Sequence, residues 1–343
     1  MVRHVRIGVV LAAGGSVGVA YHGAVLAAVE EATGWDPRSA ELIVGTSAGS
    51  ISAAMLRAGL PAADLRAVSE DRPLSPEGAV LAEMGRPHRP RSQPIPLLGL
   101  RPSADPLAVV RAFANPGSHH PLALLAALMP AGQVSTDPIS AGLNSVFSKG
   151  WPDGRMWICA VDLRSGRRTV FGRDGAPEAR VGDAVAASCA IPGYFQPVRI
   201  GGHRYVDGGV RSMVNLDIVG GQGLDLVVVS SPLSQQVGRM PLGPASAVRQ
   251  LLRAQLAREV AALRRTGVPV VTIQPDGRVA AAMGLNPMDA RLRGPVSRVA
   301  FSSVTKWLAD GRGEGSRLAG MLADAAGGRR GPDAPPAEQA VAI

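Results

Sequence analysis

Twice within residues 5–58 an apolar run halts at a glycine cluster and passes into a helix-forming stretch. VRIGVVLA (5–12) leads through a Gly loop into VGVAYHGAVLAAVEEATG, and ELIVG (41–45) leads through Thr46 and Ser47 into AGSISAAMLRA (48–58). Apolar runs this short and without alternation are strands covered on both faces. Strand, glycine turn and helix in repetition build a parallel sheet with helices packed on it. The pattern therefore predicts an α/β fold, a mainly parallel central sheet flanked by helices in three layers. With 343 residues, 46% of them hydrophobic, the chain has enough apolar surface to cover such a sheet on both sides.

The same rhythm resumes later. MWICAVDL (156–163), RRTVFG (167–172), HRYVDGG (203–209), LDLVVVSS (224–231) and VPVVTIQP (268–275) read as strands, and RVGDAVAASCA (180–190) as a helix. In 246–267, Val248, Leu251, Leu252, Leu256, Val260 and Leu263 share one helical stripe, which predicts a core-facing side. FSSVTKWLADG and SRLAGMLADA read as C-terminal helices. Between the two α/β stretches, residues 71–138 hold 12 of the 28 prolines. Each proline lacks an N–H and restrains its predecessor, so RPHRPRSQPIP cannot sustain regular structure. This segment reads as an irregular insertion over the sheet, a lid or a plain surface loop, carrying two short apolar helices (DPLAVVRAFA and PLALLAALM). The organisation expected is one α/β domain over 1–325 with this insertion, then a disordered tail over 326–343.

Composition narrows the function. No apolar run reaches the roughly 18 residues of a membrane span. MVRHVRIGVVLAAGG imitates a secretion signal, but its apolar stretch is short and runs on into helix-forming sequence, so it reads as part of the fold. Cys159 and Cys189 lie inside apolar runs, as buried free thiols of a reducing compartment do, which points to the cytoplasm. No Cys/His spacing resembles a metal site, and nothing calls for a cofactor. The net charge of +9 is carried almost wholly by arginine, lysine occurring only at 149 and 306. Aromatics are 3% of the chain and the arginines are scattered, so nucleic acid is not expected as a partner. An anionic membrane surface, touched peripherally, suits this balance better. Oligomeric state is not legible.

Gly45-Thr46-Ser47-Ala48-Gly49 fits G-x-S-x-G, and so does Gly14-Gly15-Ser16-Val17-Gly18. With 42 glycines and 25 serines, chance alone supplies roughly 0.4 such matches, so the motif needs its context. A serine nucleophile needs a base, and an α/β-hydrolase orders them serine, acid, histidine. The six histidines are His4, His22, His88, His119, His120 and His203, so none follows the last strands. His22 reads as a packing or capping residue, Asp162 as the start of a turn. The late feature is Asp207-Gly208-Gly209 at a strand end. Alone it is a turn. Together with Ser47 and the loop at 14–18 it gives three pieces that each follow a strand, and parallel strands bring such pieces to one carboxyl edge, where open α/β sheets hold ligands.

AGGSVG (13–18), GTSAG (45–49) and DGG (207–209), with ASCAIPGYFQPVRIGGHRYVDGGV before the aspartate, resemble in kind and order the marks of the patatin-like phospholipases. The likeness covers about 5–60 and 155–275. It implies a patatin-like three-layer fold with Ser47 on a strand–turn–helix elbow and a Ser47–Asp207 dyad without histidine. It also implies an oxyanion hole from the backbone of Gly14, Gly15, Ser16 and Ala48, with Gly45, Gly49, Gly208 and Gly209 shaping the elbow and turn. The activity implied is lipid acyl hydrolysis (phospholipase A, lysophospholipase or carboxylic ester hydrolase) on a lipid or acyl-ester substrate. The family's loop usually reads G-G-G-x-Arg/Lys-G; here Ala13 replaces its first glycine and Val17 its basic residue, which bears on phosphate contact. Two alternatives stand beside this reading: a catalytically silent, membrane-associated patatin-like binding protein, and a dinucleotide-binding module built on Ala13-x-Gly15-x-x-Gly18.

Overall fold

A computed structural model describes residues 5–85, 132–235 and 244–327. Among these, eight strands form one mixed sheet: β1 (Ile7–Leu11), β2 (Leu42–Thr46), β3 (Arg155–Asp162), β4 (Arg168–Phe171), β5 (Val198–Ile200), β6 (His203–Asp207), β7 (Leu226–Ser230) and β8 (Val270–Ile273). Their order is β5-β6-β3-β2-β1-β7-β8, with β4 paired to β3. Strands β3, β2, β1, β7 and β8 run parallel, whereas β4, β5 and β6 pair antiparallel. The stretch that imitates a secretion signal supplies β1, a fully buried central strand.

Both faces of the sheet are covered, which explains the unbroken apolar character of β1 and β2. Ile7, Val9 and Leu11 enter one core with Ile43, Ile158 and residues of α1 (Gly15–Thr33), α2 (Ala48–Arg57) and α3 (Ala62–Ser69). The same core takes in α6 (Val181–Ser188), α9 (Arg293–Ala309) and α10 (Glu314–Gly327). Val10, Ala12, Leu42 and Val44 face the other way, onto a second core with α7 (Pro244–Arg264) and the 3-10 turn Leu216–Val219. These are the three layers the sequence predicts. Cys159 and Cys189 are buried and unpaired by any disulfide, and among the described residues no helix is long and apolar enough to cross a membrane.

Three expectations are corrected. Along α7 only the C-terminal part of the apolar stripe is core: Leu256, Val260 and Leu263 are buried, whereas Val248 and Leu251 are 56% and 65% exposed. Periodicity fixes a helix face but not how far along its axis the core extends. Second, the proline-rich insertion is regular at both margins. α4 (Pro76–Met84) and α5 (Asp137–Val146) each carry a proline in the first turn, where the missing N–H would be unpaired anyway, and they pack on one another. Ser75 caps α4 by accepting from the Gly78 N–H at 3.0 Å. The remainder, 86–131, with both short apolar helices read there, lies outside the described residues, as does the tail from 328. Third, β5, α3 and α8 (Gly277–Met283) are present although each is too short for periodicity to predict; α8 is announced only by its cap, Asp276, which accepts from the Val279 N–H.

Helix α2 lies very close to β1. A Cβ on Gly49 would fall 1.9 Å from the Leu11 carbonyl oxygen, whereas one on Gly277 meets nothing within 4 Å. Gly49→Ala is expected to lower unfolding free energy by about 3 kcal/mol or more, and Gly277→Ala to stay within about 0.5 kcal/mol of the parent protein. Urea denaturation checks both, and equal midpoints would contradict this packing.

Candidate active site

Ser47 stands where β2 becomes α2, with φ 53° and ψ −121°. A non-glycine residue in that region carries backbone strain of order 1–3 kcal/mol, the mark of a serine thrust out on a sharp strand-to-helix turn. The turn is tight because Gly45 and Gly49 let the chain fold back on itself: a Cβ at 45 would lie 2.5 Å from the Ser50 Cα. The Ser47 N–H donates to the Ser188 hydroxyl at 2.9 Å, and that hydroxyl donates to the Cys159 carbonyl at 2.6 Å. One serine at the end of α6 thus ties the elbow to β3. Its role has no motif signal beyond the run ASCAIPG.

Asp207 comes to the same level by a route opposite to the one expected. Thr46 is in register with Cys159, and the next residue of β3, Ala160, is in register with Asp207. Strand β6 runs antiparallel to β3, so it starts beyond the carboxyl edge and ends at it. The aspartate is therefore carried back to the edge by a returning strand rather than outward by a parallel one. The Asp207 N–H donates to the Ala190 carbonyl at 3.0 Å, and Gly208–Val210 form a 3-10 turn capped by Asp207, whose Oδ1 accepts from the Gly209 N–H at 2.7 Å.

Ser47 and Asp207 are 4% and 5% exposed. Burial raises the Asp207 pKa from 3.8 to about 6, with hydrogen bonding from the Ser47 hydroxyl and the Gly209 N–H pulling back against it. No cation among the described residues pairs with this carboxylate. Cys189 lies beside it, but burial and the Asp207 charge push its pKa up to about 12, so it is an inert thiol.

The glycine loop turns at Gly15, whose φ of +62° suits glycine and where a Cβ would meet the Pro287 carbonyl at 2.6 Å. The Ala13 and Val17 N–H groups donate to the Met213 and Pro287 carbonyls. Those of Gly14, which precedes α1, of Gly15 and Ser16 in its first turn, and of Ala48, which opens α2, have no acceptor among the described residues. Helix N-termini leave such donors unpaired, and two of them converge here on Ser47. Beneath the loop, buried His22 joins Nε2 to the Ala12 carbonyl and Nδ1 to the Ser230 hydroxyl, both at 2.8 Å. The carbonyl only accepts, so Nε2 holds the proton and Ser230 donates to Nδ1. Burial lowers the His22 pKa to about 4, keeping the ring neutral at pH 7, although its bond to Ala12 acts the other way. His22 is a packing residue, as read from the sequence.

Two cavities meet at Ser47. One, about 290 Å³, is walled by Val19, Ile51, Ile139 and Phe195 and also touches Ser16, Ala48 and Arg293. The other, about 280 Å³, holds Asp207 among Ala13, Met213, Leu233 and Pro192. Gly15, Ser47, Ile191 and Met288 border both. His203 is elsewhere engaged: its Nδ1 lies 2.9 Å from an Asp162 carboxylate oxygen, and it follows the Gly201-Gly202 turn between β5 and β6. Asp162 also accepts from the Arg164 N–H at 2.7 Å, opening the turn after β3.

A strained serine on such an elbow, level with a buried carboxylate at one edge of a mixed α/β sheet, belongs to a narrow class of folds. The family model for patatin-like phospholipases matches residues 9–219, more than half of the chain, and the protein belongs to that family. Among solved structures it is similar to VipD from Legionella pneumophila, with 14% identity, 93% of this chain and 67% of that chain covered, and a TM-score of 0.43. It is also similar to a chain of the heterodimeric ExoU–SpcU complex from the type III secretion system of Pseudomonas aeruginosa, with 19% identity, coverage of 97% and 67%, and a TM-score of 0.30.

Both candidate residues cost the fold stability. The Asp207 carboxyl binds its proton more tightly folded, at about 6, than at its ordinary value of 3.8. Its contribution is therefore fully present below pH 3.8 and lost as pH rises through 6. Asp207→Asn should then stabilise the protein at pH 8 by about 1–3 kcal/mol and leave it nearly unchanged at pH 4. Ser47→Gly should add about 1 kcal/mol at either pH by relieving the backbone. Denaturant titrations at the two pH values check this; a pH-independent effect of Asp207→Asn would contradict the burial of an ionised carboxylate.

Proposed function

We propose that this protein is a lipid acyl hydrolase in which Ser47 is the nucleophile and Asp207 its only base. The observation that carries the reading is the union of these two buried residues with four backbone N–H groups, none with an acceptor among the described residues, at the meeting point of two apolar-walled cavities. An aspartate in water is a poor base, but one with a pKa near 6 is ionised at pH 7 and holds a proton more readily.

As the Ser47 oxygen attacks the ester carbonyl carbon, its proton passes to Asp207. The carbonyl oxygen becomes an anion held by the N–H groups of Gly14, Gly15, Ser16 and Ala48. Collapse expels the alcohol, which takes the proton from Asp207 and leaves an acyl ester on Ser47. Water then repeats the step: Asp207 takes its proton, the acid departs, and the Ser47 oxygen regains the proton. The apolar walls suit a hydrocarbon acyl chain, so a lipid ester is the substrate class, met at a membrane that the chain touches only peripherally. Sixteen stays a serine only incidentally, because its part is a backbone donor that alanine also supplies.

Activity on p-nitrophenyl butyrate should vanish in Ser47→Ala and fall by about 10³-fold or more in Asp207→Asn, which cannot accept the proton. Ser16→Ala and His203→Ala should keep most of it. For the parent protein kcat/KM should fall tenfold per pH unit below the Asp207 value of about 6. A fluorophosphonate probe should label Ser47. A His203→Ala loss equal to that of Asp207→Asn would restore a histidine base, and absence of labelling would favour a silent, lipid-binding member of the family.

A further inference from the structure

The two cavities that meet at Ser47 differ in charge. One holds the Asp207 carboxylate; in the other, Arg293 is the one charged side chain among the described residues that line it. Arg293 opens α9, far along the chain from the Gly loop, and reaches a wall shared with Gly15, Ser16 and Ser47. Its Nε is buried and has no hydrogen-bond partner among the described residues. Burial lowers its pKa; the charge of Asp71 opposes this, yet no ion pair forms between Arg293 and a carboxylate among the described residues.

Other half-buried arginines are differently placed. Arg57 donates through both Nη atoms to the Arg38, Ala40 and Arg155 carbonyls, tying α2 to the sheet edge. Arg168 grips both carboxylate oxygens of Asp217 at 2.7 Å. These are structural roles: the Arg57 Nε is unpartnered as well among the described residues, but its Nη atoms are spent on backbone carbonyls, and neither arginine lines the cavities at Ser47. A half-buried guanidinium without a carboxylate beside it is costly, and an anion in the cavity that Arg293 lines would offset that cost. The glycine loop does not supply that charge, because none of Gly14, Gly15, Ser16, Val17 and Gly18 has an ionisable side chain.

A guanidinium matches phosphate with paired, charge-assisted hydrogen bonds. In a glycerophospholipid the phosphate hangs on the same glycerol as the ester under attack, so both ends of one small headgroup fall within one cavity. We propose that Arg293 is the specificity-determining residue of this site, taking the phosphate of a glycerophospholipid while the acyl ester lies against Ser47. This rests on the reading of Ser47 as nucleophile, and it makes the enzyme selective for phospholipids over neutral glycerides.

The test separates binding from turnover. In full-length Ser47→Ala protein, calorimetric titration below micelle-forming concentrations compares dihexanoyl phosphatidate, dihexanoylglycerol and inorganic phosphate. Phosphatidate should bind at least about tenfold more tightly than dihexanoylglycerol. Adding Arg293→Gln should bring that ratio close to one, and Arg293→Lys should retain part of it, with thermal unfolding verifying that each variant is folded. A ratio unmoved by either substitution would overturn the proposal. So would inorganic phosphate binding as tightly as phosphatidate, which would mark a free-anion site. In protein with Ser47 intact, Arg293→Gln should raise KM for phosphatidate more than it lowers kcat. If the unsubstituted protein hydrolyses neither lipid, the nucleophile reading falls, while the calorimetric ratio still judges Arg293.

Discussion

The close approach of α2 to β1, with Gly49 set against the Leu11 carbonyl, is the constraint on which the site depends. Without a side chain at 49 the helix can begin one residue after the strand ends, and Ser47 is left with nowhere to go but outward at a positive φ. The same short connection leaves the Ala48 N–H unpaired beside the loop that opens α1. Ser188 then fixes the elbow from the other side by bridging it to β3. The placement of Ser47 and of the donors beside it is thus a product of backbone packing, and the layers on either side of the sheet hold that backbone still.

The electrostatics follow from where water is excluded. Asp207 is buried with a hydroxyl and one backbone N–H for company, and no cation among the described residues lowers its pKa. Had Arg293 been drawn to that carboxylate, Asp207 would be a weaker base and the arginine unavailable to an anion. The two lie instead in separate cavities that touch only through Ser47, Gly15, Ile191 and Met288. Acid and cation are kept apart by the very residue that both would serve.

Much of this was legible because its causes are local. An apolar run broken by glycine and followed by helix formers leaves few alternatives, and β1–α1 and β2–α2 appear where the residues call for them. Asp207-Gly208-Gly209 could be singled out as a turn at a strand end. Its approach direction could not: the period of a strand is the same whichever way it runs, and the antiparallel pairing of β6 with β3 is decided by partners 43 to 47 residues away in sequence. For the same reason Val248 and Leu251 were misread, since a stripe does not declare where the core beneath it stops. Ser188 and Arg293 belong to no pattern; each matters only through what the fold brings beside it.

The returning strand has a further consequence. Because β6 is set by its ladder with β3 and β5, the position of Asp207 along the edge depends on pairing register and not on the length of the connection before it. The Gly201-Gly202 tip projects with nothing within 4 Å of either α-carbon's open side. Residues can be gained or lost at that tip, and with them whatever the outer end of the hairpin meets, while the carboxylate stays level with Ser47. The sheet thereby separates the length of the hairpin's outer end, which is free to change, from the position of its last residue, which the ladder fixes.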